Sequence, residues 1–185
     1  MLIFLDTETT GVDKAKLVQL AYKLYSDDGE LDVNELYKPP VPIEIGAMAV
    51  HHITNEAVKD KSAFAGSAGK EVLESYLTNH VLVAHNAKFD LDILKNEGVV
   101  LGKHSIDTLQ VAKHLFEGLD SYQLQYLRYY FGITNLKVNA HDAMGDVIVL
   151  RSVFRHLAME VQRVFKISDR KQVIAKMITL STQHI

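Results

Sequence analysis

The feature that most constrains this chain is its amino-terminal stretch, Met1 to Gly11, MLIFLDTETTG. Leu2 to Leu5 form an apolar run typical of a buried central strand, and the run delivers Asp6 and Glu8 at its carboxyl end. In an extended chain residues i and i+2 project to the same side, so the two carboxylates are held together. They repel unless something positive sits between them, and a hard divalent cation suits an all-oxygen site. An Asp and a Glu after a strand can equally cap a turn and face water. What favours the metal reading is the following TTG, where Gly11 permits a sharp exit and Thr9 and Thr10 offer hydroxyls and amides to a ligand, together with acidic motifs later in the chain.

The 185 residues fit one domain with a substantial core. There is no cysteine, which removes disulfides and thiolate metal sites and agrees with a reducing compartment. The amino terminus lacks a basic segment, a long apolar stretch and a small-residue cleavage site, so the expectation is a soluble, cytoplasmic protein with no membrane partner. A net charge of −3 argues against a protein that coats long nucleic acid through many phosphates. It leaves room for a nucleic-acid end held locally, where metal ions supply the positive charge.

Along the chain, Lys16 to Tyr25 reads as a second strand, Ser26 to Glu30 as a turn and Leu31 to Tyr37 as the third strand of an antiparallel meander, ended by Pro39, Pro40 and Pro42. Ile45 to Ile53 is a short helix and Thr54 caps another, with His51 and His52 between them. Gly69 to Leu77 has helical apolar spacing. Val81 to Ala84 is a buried strand running into HNAKFD, which places Asp90 in the first turns of a helix just beyond a strand end, where α/β sheets bind ligands. Val99 to Ile106 is a fifth strand candidate, followed by a helix capped by Asp107 and another over Ser121 to Phe131, capped by Ser121. The tyrosines of that helix, at 122, 126, 129 and 130, could stack on bases, but packing on the core is the favoured reading. From Asp142 a further helix has Val147, Ile148, Leu150 and Val153 on one side, with His141 and Asp146 near its start; the tail from Lys166 is a small helix capped by Ser168.

Four carboxylates, Asp6, Glu8, Asp90 and Asp146, thus stand at strand ends or first helical turns. Two divalent ions held by shared carboxylates stabilise both the attacking and the leaving oxygen of a phosphoryl displacement, which explains the number of acids. An imidazole with a pKa near neutrality is suited to take a proton from water, and His141 is assigned that role.

The set DTETTG at Asp6 to Gly11, HNAKFD at His85 to Asp90 and HDAMGD at His141 to Asp146 resembles the three motifs of the DEDD superfamily of 3′→5′ exonucleases, in the branch whose third motif carries histidine. The resemblance covers almost the whole chain in the expected order. It implies an α/β, ribonuclease-H-like fold with a mixed five-stranded sheet flanked by helices, and release of nucleoside 5′-monophosphates from a 3′ end using two divalent ions, Mg²⁺ or Mn²⁺. It implies Asp6, Glu8, Asp90 and Asp146 as metal ligands and His141 as general base. Thr9, His51 and Phe89 match positions that contact the terminal nucleotide, and whether His51 or His52 faces the substrate is open. Residues 1–165 are expected to form the exonuclease domain and 166–185 a helical extension packed on it. The expected partner is a single-stranded or frayed 3′ end of DNA or RNA, with a polymerase or repair protein as a candidate second partner. A freestanding enzyme, or one whose partner-binding surface lies on the domain itself, is favoured because proofreading subunits continue past the nuclease domain and this chain ends soon after it. The alternatives are an RNA trimmer of the same architecture, distinguished by its treatment of the 2′-OH, and a non-catalytic module binding nucleic-acid ends or another protein.

Overall fold

In the computed structural model, which describes residues 1–26, 29–137 and 142–182, the apolar amino-terminal run becomes β1 (Leu2–Thr9). The strand extends past its apolar residues, so Asp6 and Glu8 lie within it and their shared orientation follows from the pleat. It is followed by β2 (Leu17–Ser26), β3 (Gly29–Leu36), α1 (Ile45–His51), α2 (Asn55–Val58), α3 (Ala68–Leu77), β4 (Val81–Ala84) and α4 (Ala87–Asn96). The chain continues through β5 (Ser105–Asp107), α5 (Thr108–Leu115), α6 (Leu124–Tyr130), α7 (Ala143–Phe165) and α8 (Arg170–Thr182).

The strands form a mixed five-stranded sheet in the order β3-β2-β1-β4-β5. On one side β1 begins the expected antiparallel meander; on the other it pairs parallel with β4, which pairs parallel with β5. The centre of the sheet is therefore β1, buried on both faces, which explains its continuous apolar run. Its alternate residues serve two cores. Leu2 and Phe4 pack with Ala21, Val83 and Ile106 against Val147, Leu150, Val153 and Leu157 of α7. Ile3 and Leu5 pack with Leu20, Tyr22 and Leu82 against Leu73 and Leu77 of α3 and Leu94 of α4. Full burial of one such side chain stabilises the fold by about 1.5–3 kcal/mol. The parity carries into the polar end: Asp6 and Glu8 continue the series that faces α7, and Thr7 the series that faces α4.

Local chemistry accounts for most boundaries. Thr54, Ser67, Asp107 and Asp142 cap α2, α3, α5 and α7 by accepting from the backbone N–H of Ala57, Lys70, Leu109 and Gly145. Three expectations need correction. The fifth strand is Ser105–Asp107, far shorter than Val99 to Ile106, because Gly102 lies against α3: a Cβ there would sit 2.2 Å from the Leu77 carbonyl oxygen. The helix over the tyrosines begins at Leu124 with Gln123 at its cap, since the Ser121 hydroxyl is engaged in a local turn with the Gln123 N–H. In α8, Asp169 rather than Ser168 accepts from a first-turn amide, that of Gln172. The apolar face of α8, Val173, Met177 and Leu180, joins the core beneath α7, and Ser181 accepts from the Asp107 N–H at the end of β5. Among the described residues no helix is long and apolar enough to cross a membrane.

Candidate active site

The sheet brings acids together at the carboxyl end of β1. Asp6, Glu8 and Asp146 each offer an oxygen such that all three atoms lie within 4.8 Å of one another. Asp6 and Glu8 come from the strand, opposite Ala21 and Gln19 of β2, and the pairing slips between Glu8 and Thr9. A bulge at this point bends the strand end, a common device beside sites. Asp146 enters from the first turn of α7, whose start is fixed by the Asp142 cap. Asp90 comes from the other layer. Its helix follows β4 through Asn86, which takes a left-handed conformation (φ 62°) that asparagine tolerates, and whose N–H donates to Asp107 at 3.0 Å. The sharp turn leaves Asp90 only 3 % exposed, in the first turn of α4, where the Thr7 hydroxyl donates to its Oδ1 at 2.8 Å. Asp90 stands outside the tight group of three but near enough to act on it electrostatically.

Burial and mutual repulsion disturb these acids. Burial holds the Asp6 carboxyl well above the ordinary range, and Asp90, Glu8, Asp146 and Asp142 push the same way. Glu8 rises to about 8 through burial and then the charges of Asp146, Asp90 and Asp142. Asp90 rises to about 7, again through burial, against the lowering effect of the Thr7 hydrogen bond. Among the described residues no lysine or arginine pairs with Asp6, Glu8 or Asp90. Oxygen-only donors, crowded and without a protein counter-charge, fit hard divalent cations.

The remaining expected residues fall into three groups. His141 lies outside the described residues. His51 is 7 % exposed: its Nδ1 accepts from the Ile53 N–H at 3.0 Å, so its Nε2–H is the donor to the Thr9 carbonyl at 3.1 Å. That bond, with the Glu44 N–H to the Thr10 carbonyl at 2.8 Å, docks α1 onto the end of β1. His52 instead takes a left-handed conformation at the end of α1 and is exposed. The Thr9 hydroxyl donates to the Gly11 carbonyl at 2.7 Å, and Phe89 packs partly buried on the core beneath α4. Of the tyrosines, Tyr122 and Tyr126 pack on the core, while Tyr129 and Tyr130 are exposed.

Three contributors escaped the sequence reading. Thr7 points away from Asp6 and Glu8, and only the folded position of α4 gives it a partner. Asp142 is a cap whose charge also reaches the cluster. Gln125 of α6 donates to Asp146 Oδ1 at 2.6 Å; its position among tyrosines concealed it, and no spacing rule would have found it. Cavity size does not locate the site either: a groove of about 680 Å³ lies away from the acids, lined by Tyr25, Phe131, Arg151 and His156.

A central strand offering two carboxylates to acids from helices of both layers is the arrangement of a metal-dependent nuclease of ribonuclease-H-like fold. Residues 3–154 match the family described as Exonuclease, and this chain belongs to that family. It is a 3′–5′ exonuclease, a phosphodiester hydrolase that depends on divalent metal. It is 31 % identical over 173 residues to the DNA polymerase III subunit epsilon of Buchnera aphidicola from Acyrthosiphon pisum, covering 82 % of this chain and 70 % of the relative. The subunit epsilon of Rickettsia conorii is 29 % identical over 194 residues, covering 96 % and 82 %. Among solved structures, exonuclease X in complex with 5′ overhanging duplex DNA has the same fold, with a TM-score of 0.75, 24 % identity and coverage of 98 % and 99 %. Exonuclease I of E. coli, in complex with a dT13 oligonucleotide, matches over 89 % of this chain and 42 % of its own, with a TM-score of 0.69 and 21 % identity.

Proposed function

We propose that this enzyme removes nucleoside 5′-monophosphates one at a time from the 3′ end of DNA in proofreading or repair. In this reading Asp6, Glu8, Asp90 and Asp146 hold two Mg²⁺ or Mn²⁺ ions and His141 is the general base. The observation that carries the assignment is the convergence of Asp6, Glu8 and Asp146 within 4.8 Å at the end of the central strand, with no lysine or arginine pairing with Asp6 or Glu8 among the described residues. When bound, the ions supply the Lewis acidity that stabilises the attacking and leaving oxygens of an in-line displacement. The chain's own residues do the rest. The pleat of β1 orients Asp6 and Glu8, Thr7 fixes Asp90 from below, and the first turn of α7 holds Asp146. His141, five residues ahead of Asp146, takes the proton of the attacking water. Thr9, His51 and Phe89 surround the terminal nucleotide. Because the Thr9 hydroxyl and both His51 nitrogens are engaged within the protein, they serve by shape and ring contact more than by free hydrogen-bonding groups.

The relatives named as polymerase III subunits support a polymerase partner. Packing of α8 against α7 and β5 supports reading 166–185 as a helical extension of an exonuclease domain formed by 1–165. The experiment is a time course on 5′-labelled oligonucleotides, DNA and RNA, single-stranded and duplex, with Mg²⁺ or Mn²⁺ and with excess chelator. A ladder shortening from the 3′ end of DNA and abolished by chelator is expected. Preferential digestion of RNA would replace DNA as the substrate, and digestion that persists in chelator would refute the metal assignment.

A further inference from the structure

We infer that Gln125 and Arg128 form a brace that sets the carboxylate of Asp146 for metal binding, an inference that rests on the proposed role of Asp146 as a ligand. The two residues are three apart on α6 and so lie on one side of it. Gln125 Nε2 donates to Asp146 Oδ1 at 2.6 Å, and Arg128 Nη1 donates to Gln125 Oε1 at 3.3 Å. A guanidinium can only donate and a carboxylate can only accept, so the amide between them has one possible orientation. Its oxygen faces Arg128 and its NH₂ faces Asp146.

Arg128 is itself held. It is 6 % exposed, and it donates through Nε to the Ile133 carbonyl at 3.2 Å and through Nη2 to the Leu136 carbonyl at 2.8 Å. Among the described residues no carboxylate lies within ion-pair distance of it. The nearest acid on this path is Asp146, reached through the polarised amide of Gln125. The guanidinium therefore does two things at once: it clamps the segment 133–136, and it fixes the group that fixes Asp146. Beyond these carbonyl and amide acceptors the guanidinium meets the ring of Tyr129, 5.4 Å from Cζ, and no ionised acid among the described residues offsets the cost of burying its charge.

The consequence is preorganisation. A braced carboxylate presents its remaining lone pairs in a set plane, whereas a free one must be ordered when the ion arrives. Loss of the brace weakens metal affinity, and it lowers turnover at limiting metal more than it weakens the oligonucleotide contact.

The test titrates Mn²⁺ alone into the full chain, followed by electron paramagnetic resonance, for the wild type, Gln125→Met, Gln125→Glu and Asp146→Asn. Circular dichroism checks each fold. Methionine keeps the length of glutamine without a donor; glutamate keeps the shape and can still accept from Arg128 but cannot donate to Asp146. Both are expected to lose about 10- to 100-fold in Mn²⁺ affinity. Their kcat at low Mn²⁺ should fall and recover as Mn²⁺ is raised, with KM for the oligonucleotide little changed. Wild-type Mn²⁺ affinity in Gln125→Met, with Asp146→Asn impaired, would overturn the brace alone. Wild-type affinity in Asp146→Asn would overturn the ligand assignment and the brace with it.

Discussion

In the absence of metal, the buried charge of Glu8 among Asp146 and Asp90 should weigh against the fold, and removing it should stabilise the protein. Its carboxyl moves from an ordinary 4.5 to about 8 in the folded state. A raised carboxylate pKa means that the folded chain binds the proton more tightly than the unfolded one. The stability this confers is complete below about pH 4.5 and is lost as pH rises towards 8. With 1.36 kcal/mol per pH unit, the shift amounts to about 3 kcal/mol by pH 7 and about 4 kcal/mol by pH 8. These are upper limits, because water entry and small movements of Asp6, Asp90 and Asp146 relieve part of the repulsion. Glu8→Gln keeps the shape and removes the charge. For a chain of this size 1 kcal/mol corresponds to about 2–4 °C, so in excess chelator at pH 7 its Tm should exceed that of the wild type by roughly 5–10 °C. At pH 5 the difference should shrink to about 2–3 °C, since only about 0.8 kcal/mol of the shift is expressed there. Mn²⁺ should reverse the order, raising the wild-type Tm and leaving the variant nearly unchanged. Thermal unfolding at pH 5, 6, 7 and 8, with chelator and with Mn²⁺, measures all of this. A variant no more stable than the wild type at pH 8 in chelator would refute the account of the cluster.

Asp146→Ala should lower nuclease activity by about 10²–10³-fold or more while far-ultraviolet circular dichroism is retained; near-normal digestion would remove it from the ligand set. His141→Ala should reduce kcat by about 10²–10⁴-fold with much less effect on oligonucleotide affinity, and equal losses in both would count against a general base. His85 is held neutral, its Nε2–H donating to the Tyr122 carbonyl at 2.8 Å and its Nδ1 beside the Thr108 hydroxyl at 2.9 Å, and burial pushes its pKa down to about 4. The unfolded chain then binds this proton more readily, so the fold loses about 3 kcal/mol as pH falls from about 6.5 to 4; urea midpoints across that window should fall more steeply for the wild type than for His85→Gln. Gly102→Ala should destabilise the fold by about 1–3 kcal/mol in urea, since the new methyl would meet the Leu77 carbonyl, and an unchanged midpoint would mean that this loop moves freely.

The sequence by itself determined the order of elements, the buried central strand, the caps at Thr54 and Asp107 and the acids that converge. Each of these is written in local chemistry: an apolar run, a period, a cap, a motif. The helix starts fall past Ser121 and Ser168 because the Ser121 hydroxyl has a competing use in a local turn and Asp169 is the better cap. The tertiary structure alone decided how the acids meet. Asp90 arrives from the layer opposite Asp146, and its partner Thr7 sits on the far side of β1 from Asp6 and Glu8. Between the adjacent histidines, the docking of α1 on the end of β1 buries His51 and exposes His52. Gln125 finds Asp146 across 21 residues of sequence. These contacts join residues distant along the chain, and their geometry depends on how the helices pack on the sheet, which no local pattern records.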